Sequence, residues 1–249
     1  MDNPACLAVV PTRGRPAQAG ELIEEFGKTA VCTQLLFCLD NDDPALEQYK
    51  TLITARRWFA RHLVSWQVGP RQHLAGWTNQ VALLAAGRFE ALISLGDDHR
   101  PETPAWDREL LDAARRMGGG WAYGDDGVPH QVTPAGWVTS RLPTAFLVSA
   151  RIVSALGWML GPPGCAHMFV DAAARDLALA ASTREKPRLA YLPHVKVRHD
   201  HWTTGRSSHD QTYAAGQACW PSDQAVFDAW SAGPINDDAE TVRRACECR

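Results

Sequence analysis

The first 120 residues alternate short apolar runs with segments whose apolar residues recur at helical spacing, and this constrains the fold more than any other feature. The run CLAVV, closed by Pro11, reads as a strand buried on both faces. ELIEEFG follows, with Leu22, Ile23 and Phe26 on one helical face and Gly27 as its stop. QLLFCLD is the second strand, and Asp43 with Pro44 reads as the cap and first turn of a helix PALEQYKTLI. HLVSWQV (62–68) is the third strand, and a helix over 73–87 places Trp77, Val81 and Leu84 together. FEALISLG is the fourth, after which Thr103 and Pro104 open a helix carrying Trp106, Leu110, Ala114 and Met117. This order predicts an α/β domain with a mainly parallel sheet.

After Gly120 the pattern loosens into short strands at WAYG and TAFLVSA, a helix near RIVSALGW, a GPPG turn, a helix over 169–182, and strands at LAYL and HVKVR. A mixed second half is expected, then a loop-rich tail over 214–249 with one short helix. At 249 residues, one domain over 1–213 is favoured. A net charge of -3 gives no broad footprint for nucleic acid, although a local basic groove is compatible with it. A leader-like start and a run of about 18 apolar residues are both missing, so a cytoplasmic protein with no membrane partner is expected. Seven cysteines without regular spacing read as reduced thiols, and Cys246 with Cys248 as a frayed tail rather than a metal site.

In open sheets of this kind, ligands collect beyond the carboxyl ends of the strands, and four polar clusters fall there. PTRGRP (11–16) offers Thr12, Arg13 and Arg15, which suit phosphate oxygens held in forked contacts, or an ordinary solvated turn. It lacks the glycine run and the Lys-Ser/Thr of a P-loop. In LDNDDP (39–44), Asp40 suits a ribose or base as readily as a structural role, while Asp42 and Asp43 read as caps. GDDH (96–99) gathers Asp97, Asp98 and His99. Adjacent acids repel when desolvated, so the readings are a hard divalent cation, Mn2+ or Mg2+, or a plain polar cap. VRHDHW (197–202) puts His199 and His201 on one side if the strand continues, where two imidazoles can bind one ion. Asp171, opening FVDAAARDLA, reads first as a dipole-stabilised cap and second as a general base.

Taken in order, PTRGRP, the acid after the second strand, GWTNQVALLAAG, GDDH, TAFLVSARIVSALGW, FVDAAARDLA and VKVRHDHW resemble nucleotide-sugar glycosyltransferases of the GT-A fold, specifically the inverting family 2 type. GDDHRPETPAWD with HDHWTTGRSSHDQTY is particularly similar to small bacterial and bacteriophage-encoded members. The resemblance spans about residues 5–213 and implies a Rossmann-like GT-A fold, with a nucleotide-binding half over 1–120 and an acceptor half over 121–213. It implies that Thr12, Arg13, Arg15, Asp40, Asn79 and Asp97 hold the nucleotide and that Asp171 is the base. Asp98 and His199 would hold the metal, with His99 and His201 as further candidates. One departure is plain: a strict D-x-D needs an acid at Gly96 or His99, and neither supplies it.

The implied reaction is transfer from a nucleotide-sugar donor to a hydroxyl of a glycan, a protein, a small molecule or a modified DNA base. Two rivals stand beside it. One is a metal-dependent hydrolase drawing further acids from Asp125 and Asp126, the other a non-catalytic nucleotide-sugar-binding module.

Overall fold

Strand β1 (Cys6–Thr12) sits in the middle of the sheet because nearly every residue in it is apolar and buried. Side chains alternate across a strand, so Cys6, Ala8 and Val10 enter one core while Leu7 and Val9 enter the other. The computed structural model describes residues 4–56, 64–128, 132–133, 136–137 and 142–247. Beside β1 run β2 (Thr33–Asp40), β3 (Val64–Gly69) and β4 (Ala91–Ser94), all parallel, joined through α1 (Pro16–Thr29), α2 (Leu46–Ala55) and α3 (His73–Ala85). The rest of the sheet comes from β5 (His99–Pro101), β6 (Trp121–Asp125), β9 (Phe146–Ser149) and β10 (Leu189–His199). Strand order is β3-β2-β1-β4-β9-β6-β10-β5, with β9 antiparallel to both neighbours and β5 antiparallel to β10. A separate pair joins β7 (Val132–Thr133) to β8 (Gly136–Trp137). The fold is thus the mixed, mainly parallel α/β sheet that the alternation predicts.

One face is covered by α1, whose Leu22, Ile23 and Phe26 are fully buried, and by α4 (Trp106–Arg116), whose Trp106 meets Phe26 edge-on. The other face carries α3, α5 (Ala150–Leu156) and α6 (Val170–Ala181). Chain direction reverses between β1 and β4: β2 and β3 grow outward on one side, then the chain returns to the other. That switch point leaves a crevice beyond the strand ends, where Thr12 and the GDDH loop meet.

Several local expectations change. α1 runs through Gly27 to Thr29, because Phe26 packs in the core and one glycine costs a helix only about 1 kcal/mol. α2 starts at Leu46, two residues after Pro44, while Asp43 accepts the Ala45 N–H at 2.8 Å. LAYL and HVKVR form one strand, β10, with a register shift between Leu192 and Lys196 around Pro193. The first two residues of HLVSWQV lie outside the described residues, as does Cys248.

The largest correction concerns the end of the chain. Instead of a loop-rich tail it forms α7 (Gln211–Ala218), α8 (Trp220–Ser231) and α9 (Ile235–Glu247). Ala239 and Val242 are fully buried against the core that holds α5 and α6, and Trp230 meets Trp158 edge-on. α7 and α8 lack a strong apolar stripe and are held by tertiary burial, whereas α9 sets Ile235, Ala239, Val242 and Cys246 on one face against the core.

Candidate active site

The crevice holds a cleft of about 950 Å³. Its floor is built by hydrogen bonds between the ends of β1, β2 and β4. The Arg15 N–H donates to the Tyr49 hydroxyl at 2.6 Å, and Thr12 Oγ1 donates to Asp97 Oδ2 at 2.5 Å. Tyr49 Oη and Thr12 Oγ1 are 2.9 Å apart, so the tyrosine proton bridges them and the chain of bonds pins PTRGRP onto the acid. Arg13 reaches Asp40 at 3.0 Å and Asp42 at 2.5 Å, while the Trp77 indole donates to the other oxygen of Asp40 at 2.7 Å. Trp77 can lie there because residue 69 is glycine: a Cβ would stand 2.6 Å from its ring.

Arg15 is the hub. Its Nε and Nη2 form a fork on Asp210 at 2.7 and 2.6 Å, its Nη1 lies 3.3 Å from Asp97 Oδ1 and 3.8 Å from Asp98 Oδ2, and its guanidinium stacks 4.0 Å from the Tyr213 ring centre. Tyr213 in turn donates to Asp98 Oδ2 at 2.7 Å. The cap and first turn of α7 are therefore tied to the acid loop, and neither Asp210 nor Tyr213 is signalled by sequence spacing.

The two acids titrate apart. Burial and the charge of Asp98 push the Asp97 carboxyl up to about 6, against Arg15 and Thr12. Burial works the same way on Asp98, but the hydrogen bond and charge of His199, with His99 and Tyr213, hold it well below the usual carboxylate range. Arg100, itself buried, braces the loop by donating to the carbonyls of Asp97 and His99 at 2.7 and 2.9 Å.

Asp98, His99 and His199 each bring a ligand atom within 4.8 Å of the others. His99 and His199 are paired residues of β5 and β10, so their rings stack, and His199 Nε2 lies 3.3 Å from Asp98 Oδ2. His99 Nδ1 accepts the Gly96 N–H at 2.8 Å, which leaves its proton on Nε2. Burial and His199 lower its pKa to about 3, so it is neutral, and it can ligate through Nε2 only by losing that proton. Its Nε2 and His199 Nδ1 are buried without a hydrogen-bond partner. The unpaired His199 nitrogen, on a ring set against the Asp98 carboxylate, fits a cation, whereas the protonated His99 Nε2 fits a polar acceptor. Gly96 explains the missing D-x-D acid: a Cβ there would stand 2.5 Å from Asp98 Oδ1 and 3.0 Å from His99 Nδ1.

β10 ends at His199, so the alternation that would align His201 stops two residues before it. His201 still lines the cleft, with its Nδ1 2.8 Å from Thr203 Oγ1 and its pKa lowered to about 4 by burial and His199. Asp171 also lines the cleft, in the first turn of α6 rather than at its cap, which Phe169 occupies at φ +63°. Its Oδ1 accepts the Ala172 N–H at 2.8 Å, and burial raises its pKa. Asn79 is not brought to the cleft. Its amide donates to the Leu160 carbonyl at 3.0 Å and accepts from the Met159 and Leu160 N–H groups, clamping the loop after α5. Arg71, His73 and His167 also line the cleft, and no spacing pattern signals them.

No known family model matches the chain, and no curated protein does. Solved structures do. Mannosyltransferase PcManGT from Pyrobaculum calidifontis, in complex with GDP-Man and Mn2+, superposes with a TM-score of 0.64 at 10% identity, over 98% of this chain and 70% of its own. S. aureus TarS 1-349 in complex with UDP-GlcNAc gives a TM-score of 0.53 at 10% identity, over 77% of this chain and 57% of that one. The fold is that of the GT-A nucleotide-sugar transferases. A putative glucose-1-phosphate thymidylyltransferase from Bacillus anthracis also shares the architecture, with a TM-score of 0.50 at 11% identity over 86% of this chain and 96% of its own. The GT-A sheet thus hosts both sugar and nucleotidyl transfer among these neighbours, and chemistry must be argued from the site. None of the described helices is long and apolar enough to cross a membrane.

Proposed function

We propose that the protein is a metal-dependent, inverting glycosyltransferase that moves a sugar from a nucleotide-sugar donor to an acceptor hydroxyl. One observation carries this: a single cleft at the switch point joins a two-arginine loop, a carboxylate–imidazole cluster and a separate carboxylate with a raised pKa. The GDP-Man and Mn2+ of the mannosyltransferase and the UDP-GlcNAc of TarS support it as ligands of the same fold.

Asp98 and His199 would hold the cation, and the oxygen and nitrogen donors suit Mn2+ or Mg2+. When bound, such an ion supplies positive charge that offsets a diphosphate and its developing leaving charge. Arg13 and Arg15 are the phosphate-facing cations, and Asp42 and Asp210 now occupy their forks. Donor binding is then an exchange of one anion for another, which lowers its net cost. Asp97 and Asp40 complete the nucleotide side. Asp171 takes the proton of the acceptor hydroxyl as its oxygen bonds to the anomeric carbon, and the bond to the diphosphate breaks on the opposite face, inverting the configuration. Its raised pKa brings it nearer the operating pH of a general base.

The hydrolase reading lacks its second set of acids. Asp126 accepts from Thr144 at 2.8 Å and from the Val128 N–H at 2.9 Å, and among the described residues the ligand cluster excludes Asp125 and Asp126. The test is incubation with UDP-, GDP- and dTDP-sugars and an acceptor panel, read by mass spectrometry. A new glycoside formed in step with free nucleoside diphosphate supports transfer, and free sugar released equally without acceptor contradicts it.

A further inference from the structure

Five aromatic rings run from the surface into the core beside Asp171. Trp220, at the start of α8 and 47% exposed, meets Phe169 edge-on with ring centres 4.9 Å apart. Phe169 stacks on Phe227 at 5.4 Å, Phe227 leans on Trp230 at 6.0 Å, and Trp230 meets Trp158. Phe169 lines the cleft two residues before Asp171 and stands in the left-handed region, a conformation costing a bulky residue about 1 kcal/mol or more. That backbone setting aims the ring at Trp220 and Phe227 instead of letting it follow the helix. A rigid apolar surface therefore continues from the cleft wall to the half-exposed Trp220, whose Nε1 is held by Gln224 at 3.0 Å.

We infer that Trp220 and Phe169 form the stacking platform for a neutral saccharide acceptor, seating the C–H face of a sugar ring outward of the one whose hydroxyl reacts. This rests on the transferase reading above. The charge around the platform selects the ligand class. Residues 207–242 contain neither lysine nor arginine, while Asp210, Asp223, Asp228, Asp237, Asp238 and Glu240 fall within them. A nucleic acid would also stack on Trp220, but it needs several phosphate-to-cation contacts. Of the arginines lining the cleft, Arg13 and Arg15 are committed to the donor diphosphate on the reading above, which leaves Arg71, the one without an ion pair among the described residues, as the single cation for a nucleic-acid backbone. Exposed amides and hydroxyls on the same helices, Gln217, Ser222 and Gln224, match the hydroxyl rim of a sugar.

The test needs neither metal nor donor. Saturation-transfer NMR is run on the full chain with the hexasaccharides of maltose, cellulose, laminarin, mannan and chitin, and with a short oligothymidylate. At least one hexasaccharide is expected to receive saturation on its ring C–H protons. Trp220→Ala is expected to weaken that binding about tenfold, with Trp220→Phe recovering to within about threefold of wild type. Since Trp220 lies outside the nucleotide side of the cleft, nucleoside diphosphate binding, measured on the same samples after Mn2+ is added, should be unchanged in Trp220→Ala, and its absence from wild type would strike the transferase reading instead. Binding of the oligothymidylate alone, binding of no hexasaccharide, or equal binding by Trp220→Ala overturns the platform.

Discussion

The rings of His99 and His199 lie stacked, with centres 4.3 Å apart and planes 18° from parallel, on directly paired positions of β5 and β10. Cross-strand pairing thus brings two residues 100 positions apart in sequence into a ligand cluster whose third member is Asp98.

That cluster sets the first prediction. His199→Ala and Asp98→Asn should each weaken Mn2+ binding by about 10–100-fold or more, the loss typical even of outer-sphere partners. Isothermal titration with Mn2+ measures it. His99→Gln keeps an acceptor near Gly96 and should cost less than either.

Gly96→Ala should damage the acid loop through sterics alone. Its Cβ would meet Asp98 and His99 under ordinary contact distance, a form of overpacking that costs about 1–3 kcal/mol. Denaturant unfolding checks the stability loss, and Mn2+ titration the accompanying loss of affinity.

Asp171→Asn separates chemistry from folding. The raised pKa means that the native fold favours the protonated carboxyl, so ionisation above the unfolded pKa costs stability. The variant should therefore melt at a higher temperature than wild type at pH 7, with the difference shrinking as pH falls below the carboxylate range. Its transfer rate should drop about 10²–10⁴-fold. In wild type the rate should fall on the acid side as Asp171 takes up its proton.

Asp107 offers a control far from the cleft. It is fully buried and accepts from the N–H groups of Val31 and Cys32 at 3.0 and 2.8 Å and from Thr33 Oγ1 at 2.8 Å. Asp107→Ala leaves buried donors unpaired at about 1–3 kcal/mol each, so a melting transition lowered by several degrees, with unaltered Mn2+ affinity in the folded fraction, is expected.

Much of this architecture is legible in the residues because its determinants are local. Four apolar runs and the helices between them fix the parallel block, and the strand ends place Thr12, Arg13, Arg15, Asp40, Asp97 and Asp98 in the switch-point crevice. His199, at a strand end, and Asp171, at a helix start, line the same cleft. What spacing could not show is long-range closure. Asp210 and Tyr213 come to Arg15 and Asp98 from 195 and 115 residues away, and the weakly patterned α7 and α8 owe their helicity to packing. The contacts of Asn79 are hidden for a similar reason: the partner that takes up its amide, the turn at Met159 and Leu160, is distant in sequence.

The most direct test is a thermal-shift titration of UDP, GDP, CDP and dTDP with and without Mn2+, in wild type and Asp98→Asn. A ligand at about 100 times its Kd adds about 2.7 kcal/mol to the native state. At least one nucleotide should raise the melting temperature of wild type only when Mn2+ is present, and should leave Asp98→Asn unmoved. Stabilisation that is independent of Mn2+, or that survives intact in Asp98→Asn, would contradict a cation held by Asp98 as the grip on the diphosphate.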